Sequence, residues 1–103
     1  MDILNSGRAK FYKNTRSNAI KIFRVLKDSN ELGEGYLSIS EIARRTGLHR
    51  WTVSRTVDLW MGHFIEMVIP EELEHVGLRI KLVRLANPDI DEKSMIRSMS
   101  IRF

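Results

Sequence analysis

There is no cysteine among the 103 residues, which rules out a disulfide framework and a thiolate metal site and removes one reason to expect secretion. No apolar run approaches the roughly 18 residues of a membrane span, and the opening MDILNSGRAK lacks the apolar stretch of a signal peptide. A cytoplasmic protein is the expectation. The three histidines, His49, His63 and His75, have no two at ligand spacing on one helix, so no metal site is expected. Catalytic signatures are missing as well: there is no glycine-rich phosphate loop, no nucleophile elbow and no carboxylate pair brought together in an apolar pocket. Neither an enzyme nor a cofactor is expected. The chain also lacks an internal repeat and a low-complexity tract.

What is present suits one compact core with tails, since 43% of the residues are hydrophobic and the length is too short for two independent domains. The 17 lysines and arginines against 13 acidic residues leave a net charge of +4, which permits nucleic-acid binding without requiring it. The distribution says more than the total. Residues 1–27 carry Arg8, Lys10, Lys13, Arg16, Lys21, Arg24 and Lys27 against Asp2 alone, and the remainder of the chain is slightly acidic.

Hydrophobic spacing predicts three helices followed by a hairpin. Ala19, Ile20, Ile22, Phe23, Val25 and Leu26 form a helical stripe behind Ser17 as N-cap. Two glycines in ELGEGYLSIS turn the chain before a short extended piece over Tyr36 to Ile39. Ser40 is expected to cap a second helix with Ile42 and Ala43 inward and Gly47 at its end. A third helix is expected from Arg50 to Met61, with Gly62 suited to stop it. FIEMVI and GLRIKLVRLA then alternate as strands, joined by PEELEHVG. The fold expected is mainly α with a small β-hairpin: a three-helix core plus wing over 17–86, a basic arm over 1–16 and a C-terminal helix over 87–103.

Ala43, Gly47, Leu48, Val53 and Val57 have helix-turn-helix spacing, with a small residue where two helices cross, a turn glycine four later and apolar anchors in the second helix. TVSRTV, Thr52 to Val57, resembles the recognition helix of lactose-repressor-type proteins, and the appended hairpin is similar to that of winged helix-turn-helix regulators. The resemblance covers roughly residues 17–86 and is fold-level. It implies a small transcriptional regulator of prokaryotic or archaeal type that binds double-stranded DNA in a sequence-specific way. One departure is His49, which stands where such proteins often carry Ser or Asn as the cap of the recognition helix.

At about 100° per residue, Val53, Thr56, Val57 and Trp60 share the inward side of the third helix, and Trp51, Ser54, Arg55 and Asp58 share the outward side. The resemblance puts His49, Arg50, Trp51, Ser54 and Arg55 where bases and phosphates would be met. Arg55 has the donors to pair with guanine O6 and N7, Arg50 is placed for a phosphate, and Trp51 offers a flat apolar face to a thymine methyl. Trp51 packed on a subunit is the alternative. Arg44 and Arg45 either touch the backbone or form a solvated face.

The wing loop carries Glu71, Glu72 and Glu74 without a cation, so its tip is not expected to grip DNA. A solvated loop is favoured over contact with a basic partner. Arg79 and Lys81, alternating with inward Leu78 and Ile80, are expected to reach a backbone. Lys10 and Lys13, interleaved with Phe11 and Tyr12, suit either an arm that tracks phosphates or a helix whose Phe11 docks on a neighbour. After Asn87 and Pro88, a helix with Ile96, Met99 and Phe103 on one face should dock on its own domain or on a twin. A homodimer on a palindromic site is therefore expected, without a small-molecule ligand. The readings from other classes are a winged-helix protein interaction module within a nucleic-acid-processing assembly, and a non-specific chromatin-type DNA binder.

Overall fold

A computed structural model describes the backbone of residues 3–78 and 80–99, and side chains from Asn14 onward within those ranges. The architecture is mainly helical with a small three-stranded antiparallel sheet, an arrangement compatible with a winged helix. No described helix is long and apolar enough to cross a membrane.

The first helix, α1, runs from Ile3 to Glu31, so Ser17 is not its N-cap and the boundary expected at residue 16 falls in the helix interior. Ala9, Lys10, Lys13 and Arg16 are all good helix formers, and no proline interrupts the 29 residues. For residues 7–16 the chain thus adopts the helical alternative; whether Phe11 docks lies outside the described side chains. One face of α1 presents Ala19, Ile22, Phe23 and Leu26 to the core. Gly33 and Gly35 follow at positive φ and turn the chain.

Next come β1 (Leu37–Ser38) and α2 (Ile39–Thr46). The cap of α2 is Ser38, two residues before the expected Ser40: the Ser38 hydroxyl accepts from the Glu41 amide at 3.1 Å. Ile42 and Ala43 are buried as expected. Gly47 closes the helix at φ 76°, its N–H donating to Ala43 O at 2.9 Å. The third helix, α3 (Arg50–Trp60), buries Val53 and Val57 completely. Its C-cap is the buried Met61, whose N–H reaches Val57 O, and Gly62 does not take the left-handed conformation expected of a glycine stop.

The segment expected to form a wing departs further from expectation. Strands β2 (Ile65–Val68) and β3 (Leu82–Leu85) pair antiparallel, Ile65 opposite Leu85. Between them lies a short helix, α4 (Glu71–Glu74), in place of a plain loop. Strand alternation predicts Leu78 and Ile80 inward, yet Leu78 is 49% exposed and Ile80 is only half-buried. The cause is local: the Leu78 N–H bonds to Leu73 O at 2.8 Å, tying it to α4, and inward alternation begins only with Val83 and Leu85. β3 also pairs with β1, Leu37 opposite Val83, giving the order β1-β3-β2.

Finally α5 (Glu92–Ser98) is capped by Asp91, whose carboxylate accepts from the Ser94 amide at 2.7 Å. Met95 and Met99 are buried in the same core, so the described part of this helix docks on its own domain. Arg24 pairs with Glu92, and Lys27 donates to the carbonyls of Pro88 and Ile90, fastening this segment to α1. Phe103 and Arg102 lie outside the described residues.

Candidate nucleic-acid interface

The turn that aims α3 is built from three local devices. Thr46 Oγ1 donates to Ile42 O at 2.8 Å and accepts from the Leu48 amide at 3.2 Å, which turns the chain sharply after α2. Gly47 supplies the left-handed residue. His49 then serves as the cap, its Nδ1 accepting from the Trp51 amide at 3.0 Å. An imidazole nitrogen thereby does what a Ser or Asn oxygen does in the usual cap.

With Val53, Thr56 and Val57 turned inward, the other face of α3 carries Arg50, Trp51, Ser54, Arg55 and Asp58. Trp51 is 63% exposed, an uncommon solvent face for an indole. Arg55 covers it, with the guanidinium carbon 5.2 Å from the ring centroid. A cation–π contact of this kind holds the guanidinium without tying it to a carboxylate. Among the described residues neither Arg50 nor Arg55 has a carboxylate partner.

The other cations near the turn are committed elsewhere. Arg44 pairs with Glu41, while Arg45 holds both Glu34, at 2.7 and 2.8 Å, and Glu41, at 2.7 Å. Hydrogen bonds from Arg44 and then Arg45 lower the Glu41 pKa from 4.5 to about 2, and the bond from Arg45 lowers that of Glu34. The arginines of α2 thus form an internally neutralised cluster with Glu34 and Glu41. Lys81 reaches across from the wing, its Nζ 2.9 Å from Asp58 Oδ2 and 3.3 Å from Ser54 Oγ. Arg79, Lys10 and Lys13 are also expected at an interface, but their side chains lie outside the described ones.

Two open grooves flank the Trp51 ridge. One, of about 460 Å³, runs between the start of α2, the start of α3 and the wing, and includes Ser38, Ser40, His49, Arg50, Ser54 and Lys81. The other, of about 310 Å³, lies between α1 and α3 and includes Asn14, Asn18, Thr52, Arg55 and Trp60. Trp60 is partly buried against the core as well. Sequence reasoning misses Asn14 and Asn18, because a cap at Ser17 places residue 14 in an arm. Asp58 is visible on the outward face, and only its Lys81 partner is not.

No protein-family model, curated protein or solved structure matches the chain. Among the described residues no group of three or more metal-ligating side chains could hold a metal ion.

The paired acids give a pH prediction. Both shifts are downward, so the stabilisation is present above the ordinary value of 4.5 and is lost as pH falls through the folded values, toward 2 for Glu41. The thermal midpoint should fall between about pH 5 and pH 2, and Glu41→Gln should flatten that fall. Superimposable pH profiles for the two proteins would show that ionised Glu41 contributes nothing. Surface pairs are individually weak, so the slope is the informative quantity.

Proposed function

We propose that this chain is a winged helix-turn-helix protein that binds double-stranded DNA with α3 in the major groove, acting as a transcriptional regulator. The observation that carries the reading is the outward face of α3. There Arg50 and Arg55, without carboxylate partners among the described residues, flank an exposed Trp51 on which Arg55 stacks. A helix of this diameter fits the groove, and phosphates on either side would lie along the two flanking grooves. Arg55 reads guanine, Trp51 covers a thymine methyl, and Arg50 meets a phosphate. Two copies related by a two-fold axis would place their α3 helices one DNA turn apart, about 34 Å, on a palindromic site.

Binding to a labelled duplex, followed by fluorescence anisotropy across a series of salt concentrations, tests the reading. The double substitution Arg50→Ala and Arg55→Ala should reduce affinity strongly and flatten the salt dependence by about one unit of slope for each phosphate no longer neutralised. Arg44→Ala should have a much smaller effect, because Arg44 is already paired with Glu41. Equal losses for the two proteins would contradict the assignment of α3 and favour a diffuse electrostatic binder. No binding by the unmodified chain would point to a protein interaction module.

A further inference from the structure

The recognition face carries one carboxylate, that of Asp58, the only acidic side chain of α3. It stands seven residues after Trp51, about two turns along the helix, so it shares the outward face about 10 Å further on. A bare carboxylate there would oppose the approach of phosphates. Lys81 offsets that charge from the wing through Oδ2 at 2.9 Å. The other oxygen, Oδ1, takes no hydrogen bond among the described residues, and the side chain is 42% exposed.

We infer that Asp58 is a base-reading residue whose free oxygen accepts a hydrogen bond from the exocyclic amino group of a cytosine, with Lys81 holding and neutralising the carboxylate. The inference rests on the DNA-binding reading of α3. An ionised carboxylate only accepts, and the donors that base edges offer in the major groove are the amino groups of cytosine and adenine. Cytosine N4 is the usual partner of an acidic side chain. Lys81 also donates to Ser54 Oγ at 3.3 Å, so the wing fixes two neighbouring groups of the reading face together. A purely structural ion pair would hold the wing to α3 but would not distinguish one base pair from another.

The test uses a duplex preferred by the unmodified chain and the panel of its single-pair substitutions. For Asp58→Ala, discrimination at one cytosine should fall by about tenfold while the other positions keep theirs. Asp58→Asn presents an amide that both donates and accepts, so it should shift the preference at that position from cytosine toward adenine, whose N7 accepts and whose N6 donates. Lys81→Ala should weaken binding, and adding Asp58→Ala to it should restore part of the loss by removing the exposed charge. If Asp58→Ala instead tightens binding to every duplex alike and leaves all preferences unchanged, the carboxylate is only a repulsive strut and the inference is overturned. An unmodified chain that prefers no sequence would overturn the DNA-reading role of α3 itself, and Asp58's with it.

Discussion

Replacing Arg55 with alanine should weaken binding to the preferred duplex by about ten- to a hundredfold, while binding to unrelated duplexes changes far less. The asymmetry follows from the stack. The guanidinium carbon lies 5.2 Å from the Trp51 ring centroid, a cation–π contact that restricts the arginine before any base is met and sets no carboxylate in competition with guanine. Trp51→Ala should therefore cost part of the same specificity by releasing Arg55, and Trp51→Phe should recover some of it. Thermal stability should change little in either Trp51 variant, because the indole is mostly exposed. Competition titrations with preferred and unrelated duplexes measure the effect; equal losses on both would remove Arg55 from base reading.

The second large effect lies in the core beneath α3. Ile22→Ala should destabilise the domain by about 2–5 kcal/mol, from lost transfer free energy and a cavity that the surroundings cannot fill. Ile22 is fully buried on α1, and α1 touches α2, α3, β3 and α5, so it is the element against which the others are assembled. Domains of this size are held by only about 5–15 kcal/mol. The substitution would consume a large part of that margin, and a denaturant titration should show the midpoint falling with an unchanged slope. A loss below about 1 kcal/mol would mean that α1 is not central to the core.

Those two positions also show how much of the fold is legible in the chain. The inward and outward faces of α3 follow from Val53 and Val57, because burial repeats with the helical period and nothing local competes with it. Gly47 is visible for the same kind of reason, as a turn that needs a left-handed residue. Local signals mislead where tertiary contacts decide. Ser17 is a good cap in isolation, yet α1 continues through it, and Gly62 is a good stop that Met61 preempts by burying itself. The β1 pairing is hidden because a two-residue strand has no period to detect, and α4 because an acidic tetrapeptide after a proline reads equally as loop.

At the site, residue type and face can be read from the chain, whereas charge pairing can only partly be read. Glu41 stands three and four residues before Arg44 and Arg45, a spacing that brings side chains together on one helix. Glu34 lies eleven residues before Arg45, and Lys81 twenty-three after Asp58. Those pairs exist only once the turn and the wing are folded. They matter because they separate the neutralised cations from Arg50 and Arg55, which composition alone presents as equivalent.

Selection of bound duplexes from a random-sequence pool, at about physiological salt so that non-specific binding is suppressed, tests the central claim most directly. Enrichment of one motif, arranged as a palindrome with half-sites about one helical turn apart, is the predicted result. Uniform weak recovery with no enriched sequence would contradict sequence-specific recognition by α3.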